Sequence, residues 1–387
     1  MKYHSETKTW EYLHGDKRVT WNSSFPKNDF YLSDYGLAFF YSPYYTAEDD
    51  NLEVCVKGEH SIGWLVTLSY LQEKDEELIS QHPEWLNKFA SIGTPLLVSH
   101  IVQNEPEFLM FQGNECCLSD VDLPSCHVLV YRLSKAKKDD IVSFLPQLYD
   151  KGFYYINKLS DVVNESLFYK SSYADNLIKE EKKRRINLKK NVYSEELVKL
   201  IKNLYEKWLP YSYINAFSRY IYLYQVVEYF MEIAFEESLF ANIKKYNNKN
   251  ISKNDLRKHI QDDSEEKAKI EMVFNGFSSN DSVVIDFKQN VKRFLGIIGS
   301  DFNGTTIGEH VYKIRNILVH NMRLAIDYET ELNDIVECLE KLIVLKLKNS
   351  ISENFNKHMV ICDISEKYRT NRKRMRKTYV QFKYDNG

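Results

Sequence analysis

YSYINAFSRYIYLYQVVEYFMEIAFEESLFANIKKY, residues 211–246, runs without a single Gly or Pro. Its apolar side chains return every three or four positions, the period of an α-helix with a buried face. It predicts the central helix of a bundle. Upstream, YSEELVKLIKNLYEKW (193–208) has the same period, opens on a Ser-x-x-Leu start and is closed by Pro210. Downstream, SKNDLRKHIQ (252–261), SEEKAKIEMVFNGF (264–277), SVVIDFKQNVKRFLGII (282–298), TIGEHVYKIRNILVHNMRLA (306–325) and YETELNDIVECLEKLIVLKLKNS (328–350) continue it. Residues 193–360 are therefore expected to form an all-α bundle.

The chain before that point reads differently. FYLSDYGLAFFYSPYY (30–45), LEVCVKG (52–58), IGWLVTLSYL (62–71), TPLLVSHIV (94–102), FLMFQG (108–113) and CHVLVYRL (126–133) are short apolar runs between polar breaks and predict strands. Residues 73–91 and 137–158 predict helices. The expected fold class is an α+β N-terminal domain (1–178) with an antiparallel sheet, followed by the helical bundle (193–360). KEEKKRRINLKK (179–190), seven of whose twelve residues are Lys or Arg, marks a basic linker over 179–192, read as a solvated helix face or linker, with a nucleic-acid contact strip as the alternative. Residues 361–387 form a basic tail.

Charge separates the same two halves. The net charge is only −3, but the first 150 residues are acidic and the rest basic. The basic half is the one suited to a phosphate backbone, because Lys and Arg release its condensed counterions. No run approaches the roughly 20 apolar residues of a spanning helix, and the start, MKYHSETKTWEY, lacks a signal core. A cytoplasmic protein with no membrane partner is expected. Six cysteines (Cys55, Cys116, Cys117, Cys126, Cys338 and Cys362) then read as reduced, buried thiols. Cys116, Cys117, Cys126 and His127 fit no standard zinc spacing, and no metal or cofactor is expected. The first half carries no phosphate loop, GxSxG or HExxH signature.

The segment Arg315-Asn316-Ile317-Leu318-Val319-His320 offers chemistry. On a wheel of about 100° per residue, with Arg315 at zero, Tyr312, Arg323, Asn316, Glu309 and His320 fall within about 140° on one side. Val311, Ile314, Ile317, Leu318 and Ala325 fall on the other. One face packs, and the opposite face gathers cations, an amide and an imidazole that no core requires. An imidazole titrating near neutrality can take a proton from a ribose 2′-hydroxyl or give one to a leaving 5′-oxygen. A guanidinium offers a fixed fork to phosphate oxygens. The 2′-hydroxyl is an internal nucleophile, so the chemistry itself requires no metal. Asn316, between the two, is placed to orient a phosphate or the imidazole.

An Arg, a polar residue and then a His late in a helical bundle resembles the HEPN superfamily. The resemblance covers roughly residues 195–360, with Arg315, Asn316 and His320 matching the Arg-polar-x-x-x-His signature. It implies a metal-independent endoribonuclease that leaves 2′,3′-cyclic phosphates, works as a homodimer with a composite site, and acts on RNA (tRNA or mRNA) as a toxin or as an anti-phage, abortive-infection effector. A phage-derived trigger or a regulatory protein would be its partner. Members often carry an acidic residue on an earlier helix near the Arg. Glu228 is the candidate here, on a stripe with Gln225, Tyr229, Glu232 and Glu236. The Tyr that some toxin members place just after the His is replaced by Asn321-Met322-Arg323.

RNA contacts are expected from Tyr312, Lys313 and Arg323 around the motif, and from Arg372 and Arg374 in SEKYRTNRKRMRKTY (365–379). The alternative is a non-catalytic HEPN-like module that binds RNA or protein, with His320 a bystander. The tyrosines of 211–229 are expected to pack rather than to stack on bases.

Overall fold

The computed structural model describes the strands at 2–4, 9–14 and 17–22, residue 6, and residues 31–45, 51–56, 61–71, 84–112, 115–118, 125–163, 168, 185–190, 193–211, 214–325 and 327–349. The chain is mixed α+β, with the strands in the first half and most of the long helices in the second.

A six-stranded sheet has the order β10-β4-β9-β6-β5-β11, from β4 (Tyr35–Tyr41), β5 (Leu52–Val56), β6 (Ser61–Thr67), β9 (Cys126–Arg132), β10 (Tyr154–Ile156) and β11 (Arg185–Leu188). All its pairings are antiparallel except β11 with β5. Strands β6 and β9 are buried at consecutive positions, not alternate ones, as happens when both faces of a sheet are covered. Gly63 is required there: a Cβ would stand 2.2 Å from the Val130 carbonyl oxygen of β9. A second, five-stranded sheet has the order β1-β2-β3-β8-β7, from β1 (Lys2–His4), β2 (Thr9–His14), β3 (Lys17–Asn22), β7 (Leu109–Gln112) and β8 (Glu115–Leu118). Its β3–β8 pairing is parallel, so the antiparallel expectation holds for most pairings in both sheets but not for all.

Four sequence readings give way, the first being IGWLVTLSYL, which is strand only to Thr67 and helical from Leu68 to Leu71. The expected strand TPLLVSHIV lies inside helix α2 (Glu84–Asn104), which follows the short α1 (Leu68–Leu71). Residues 89–95, 97, 98, 101 and 102 of this helix are buried, as in a helix covered on nearly every side, and Thr94 Oγ1 donates to Ala90 O at 2.9 Å, one helical period back. An apolar run without polar punctuation hides that period. Of the helix expected over 73–91, residues 73–83 lie outside the described residues, and 84–91 are helical in α2. The helix expected over 137–158 stops at Tyr149 (α3, Lys138–Tyr149). Gly152, at φ 81°, turns the chain, and the aromatic residues after it form edge strand β10 against β4. The basic stretch 179–190 is not all linker. Ile186 and Leu188 are buried while Arg185 and Asn187 are exposed, and Arg185 Nε donates to Glu53 Oε2 of β5 at 2.6 Å. Four residues of period two were masked by the charge around them.

Cys55, Cys126 and Cys338 are buried free thiols. Cys126 and His127 point to opposite faces of β9 by strand alternation, and Cys116 and Cys117 belong to the other sheet. Cys362 and the 361–387 tail, including Arg372 and Arg374, lie outside the described residues.

The helical half follows the sequence pattern closely. Ser194 caps α4 (Glu195–Asn203) by accepting from Leu197 N, and a π turn (Leu204–Trp208) continues it to Pro210. Asn215 caps the 32-residue α5 (Ala216–Asn247). Helices α6 (Lys253–Ser264), α7 (Glu266–Phe274), α8 (Ser282–Ile297), α9 (Ile307–His320) and α10 (Glu329–Asn349) complete the set. Helix α5 packs on α7 and α10, α8 on α10, and α7 on α9. Among the described residues, no helix is long and apolar enough to cross a membrane.

The two halves share one apolar core. At their junction Arg219 of α5 is fully buried. Its Nη1 donates to Leu209 O at 2.7 Å, and its Nη2 donates to the Tyr149 hydroxyl of α3 at 3.0 Å and to Glu340 Oε2 of α10 at 3.2 Å. Nearby, Lys348 Nζ pairs with Asp150 at 3.0 Å.

Candidate functional site

Helix α9 is held at its start. Thr306 accepts from Glu309 N, while the Glu309 carboxylate accepts from Thr305 N at 2.8 Å and Thr306 N at 3.3 Å, a capping box. Lys267 of α7 adds an ion pair at 3.0 Å. Those two amides and Lys267 hold the Glu309 carboxyl down at about 2. Glu309, on the polar face of the wheel, is therefore committed to starting the helix and not to the Arg–His group. At Gly308 a Cβ would stand 2.9 Å from Glu271 Cα, so α9 approaches α7 as closely as a residue without a side chain permits.

The buried residues of α9 are Ile307, Gly308, His310, Val311, Ile314, Ile317 and Leu318, the apolar side of the wheel with His310 added. His310 keeps its ring inside by bonding Nδ1 to Thr306 O at 2.5 Å and packing edge-on to Phe302. Burial pushes its pKa down, so it packs as a neutral ring.

The far end of the helix carries the Arg–His group. Arg315 Nη1 lies 3.2 Å from Asn316 Oδ1 and 3.4 Å from His320 Nε2. A guanidinium has only donors, so any hydrogen bond in that contact has Nε2 as its acceptor. Arg315 Nε pairs with Glu266 Oε1, the first residue of α7, at 3.0 Å. The same oxygen accepts the Tyr224 hydroxyl of α5 at 2.9 Å. One turn earlier on α5, Tyr220 donates to Val311 O of α9 at 2.9 Å. Both phenols titrate above the usual tyrosine range: burial is the main cause, and for Tyr224 the Glu266 carboxylate adds to it. They are permanent donors here. Arg315 and Glu266 remain partly open, at 22% and 32% side-chain exposure, and His320 is exposed.

The structure thus brings Arg315, Asn316 and His320 together. The acidic partner of Arg315 is Glu266, not Glu228. Glu228 makes no hydrogen bond or ion pair among the described residues. It sits close enough to feel both groups: partial burial and the Glu266 charge raise its pKa while Arg315 lowers it, for a net rise. Glu232, the other acid considered on that stripe, pairs with Lys269 at 3.3 Å. Tyr312 packs partly against the core, Lys313 is half-buried, and Arg323 is exposed in the 3-10 turn Met322–Leu324. Of the tyrosines on α5, Tyr222 stacks on Trp208 and Tyr229 bonds Ser194, as expected for packing.

Val319, Met322 and Leu324, beside His320, are exposed at 48%, 45% and 42%. A cleft of about 430 Å³, lined by Phe274, Phe277, Lys288 and Thr305 among others, opens at the other end of α9. That is about 20 Å from His320 by helical rise, so it does not serve the Arg–His group.

Comparison with protein-family models, curated proteins and solved structures finds no match.

Proposed function

We propose that the chain is a metal-independent endoribonuclease, its helical half a HEPN-like bundle with the reacting groups on α9. The observation that carries the reading is the meeting of Arg315, Asn316 and His320 on an accessible helix face, where bundle packing has no use for them. His320, with its Nε2 released from Arg315 Nη1 as the phosphate takes up the guanidinium, takes the proton of a 2′-hydroxyl on that nitrogen. The freed oxygen attacks the adjacent phosphorus, and the 5′-oxygen leaves, giving a 2′,3′-cyclic phosphate and a 5′-hydroxyl end. Arg315 stabilises the charge that builds on the phosphate oxygens. The leaving oxygen needs a second proton donor, and a two-fold dimer supplies it as the imidazole of the second copy. The exposed Val319, Met322 and Leu324 give such a dimer an apolar seat next to His320. The acidic N-terminal half fits a sensor or restraint on the nuclease, consistent with a toxin or abortive-infection effector in the cytoplasm that acts on tRNA or mRNA and answers to a phage-derived trigger or regulatory protein.

One observation favours a second reading: Arg315 already has a carboxylate partner in Glu266, as a structural arginine would. The helical half would then bind RNA or protein without cutting, and its RNA affinity would fall steeply with salt. Incubation of mixed tRNA and mRNA in EDTA with wild type, His320→Ala and Arg315→Ala separates the two. Cyclic-phosphate ends from wild type alone support the nuclease. Cutting that survives in both variants refutes the Arg–His assignment, and binding without cutting by any of the three supports the second reading.

A further inference from the structure

Each edge of the Arg315 guanidinium has a different occupant. Nε is taken by Glu266 and Nη1 faces Asn316 Oδ1 and His320 Nε2, while Nη2 has no partner among the described residues. Asn316 turns its oxygen toward Arg315, which directs its amide nitrogen away, and that nitrogen also has no partner among the described residues. Glu266 is in turn held by Tyr224, whose hydroxyl reaches the same carboxylate oxygen as Arg315. Three helices therefore converge on one guanidinium: α5 through Tyr224, α7 through Glu266 and α9 through Arg315 itself.

We infer that Tyr224 and Glu266 are positioning residues, which close one edge of Arg315 so that Nη2 and the Asn316 amide nitrogen together form a two-donor cradle for the non-bridging oxygens of a phosphodiester. This rests on the reading of Arg315 and His320 as a phosphodiester-cleaving pair. An arginine free on every edge would sample many rotamers and pay that entropy on binding; one whose Nε edge is fixed presents its outer nitrogen in a single direction. The cradle also assigns Asn316 between the two roles open to it, in favour of the phosphate. Its oxygen is already used, and the donor that remains suits an anion.

The experiment uses the full chain as wild type, Tyr224→Phe, Glu266→Gln and Glu266→Ala, with Glu232→Gln as a control on an acid paired elsewhere. Two quantities are read: kcat and KM on an RNA oligonucleotide, and the water exchange of the Arg315 Nε–H by nitrogen-15 NMR. Glu266→Ala should lower kcat by about 10-fold or more, and Tyr224→Phe by about 3- to 10-fold, as expected for one lost hydrogen bond. Glu266→Gln, which keeps an acceptor but no charge, should fall between wild type and Glu266→Ala. Exchange of the Arg315 Nε–H should speed up in the same order, and the control should match wild type in both. Wild-type kcat and exchange in Glu266→Ala, while His320→Ala is inactive, would overturn the positioning role and leave the nuclease standing. If wild type cuts no RNA, the exchange decides alone: faster exchange in Glu266→Ala supports the fixed guanidinium while the nuclease reading fails, and unchanged exchange overturns the inference. Should Glu266→Ala unfold, Tyr224→Phe, which removes a single hydroxyl, decides by the same two readouts.

Discussion

Replacing Arg219 by Met should destabilise the fold by an amount that depends on pH, and the structure gives both size and sign. Met has a similar volume, an unbranched apolar chain and no charge, so the main loss is the guanidinium that serves Leu209 O, the Tyr149 hydroxyl and Glu340 Oε2. Breaking a buried ion pair on one side costs about 3–5 kcal/mol when the remaining charge cannot adapt. Glu340 can adapt. Burial already pushes its carboxyl up to about 7, against the lowering effect of Arg219. A carboxyl raised from about 4.5 in the unfolded chain to about 7 in the fold holds a proton that the unfolded chain has lost between those values. Wild-type stability from this group therefore falls as pH rises from about 4.5 to about 7 and is level above. Without Arg219 the carboxyl titrates higher still, and the fall continues through pH 8. At pH 6 the group is protonated in both folded proteins, and the variant loses mainly hydrogen bonds, about 1–2 kcal/mol. At pH 8 the wild type has regained its ion pair and the variant has not, which adds at least about 1 kcal/mol.

Urea unfolding of both proteins at pH 6 and pH 8, followed by far-ultraviolet circular dichroism, measures the difference. A larger loss at pH 8 than at pH 6 is expected, and the double variant Arg219→Met/Glu340→Leu should recover most of it, because no charge is then left behind. An equal loss at the two pH values, or a larger one at pH 6, would refute the reasoning.

Other outcomes follow from single contacts. Gly308→Ala should cost about 1–3 kcal/mol in thermal or urea unfolding, because the new Cβ meets Glu271 Cα at 2.9 Å and pushes α9 off α7. Glu309→Ala should cost about 1 kcal/mol at neutral pH through loss of the cap; the Glu309 carboxyl titrates at about 2, so its contribution in wild type is present above about pH 4.5 and fades toward pH 2, where the variant should match it in an acid unfolding series. Glu105 is fully buried; burial alone would raise its pKa, but the His100 ring and the amides of Leu159 and Ser160 hold it below the usual carboxylate value. Glu105→Ala should therefore destabilise by about 2–4 kcal/mol, measured as a lower urea midpoint at pH 7, with the gap to wild type narrowing as acid protonates Glu105. Met322→Glu should leave the fold intact and reduce self-association measured by sedimentation; unchanged association would remove the apolar seat proposed beside His320.

The helical half was legible because its signals are local. Period, caps and Pro210 all lie within a few residues of the elements they define, and helices α4 to α10 fall where the apolar spacing puts them. Arg315, Asn316 and His320 were legible for the same reason, since one helix carries all three. The rest depends on partners distant in sequence. TPLLVSHIV has the composition of a strand, and only the surface it packs against selects the helical period. RINL pairs with LEVCV across more than a hundred residues, and nothing within the basic run announces it. Glu266 illustrates the limit most clearly. A wheel drawn on α5 favours Glu228, but which acid meets Arg315 is set by how α7 lies between α5 and α9. The one sequence hint was its position in the first turn of a helix, where acids are common for reasons of dipole alone.

Two arginines on this scaffold show what decides between structure and function. Arg219 and Arg315 both face a glutamate and both lie near a tyrosine hydroxyl. Arg219 has no exposed surface, and both of its terminal nitrogens are committed to groups from three separate segments. It can meet no ligand without breaking the junction between the two halves. Arg315 keeps 22% of its side chain open, pairs its inner nitrogen with Glu266 and sets Nη1 beside the exposed His320. A structural ion pair can be half-buried too, as Lys348–Asp150 is at 27% and 19% exposure; what sets Arg315 apart is the exposed imidazole beside it. A guanidinium held on one edge and open on the other suits an anion that comes and goes, and under the proposed nuclease reading the exposed imidazole beside it would supply the proton transfer that turns holding a phosphodiester into cutting one.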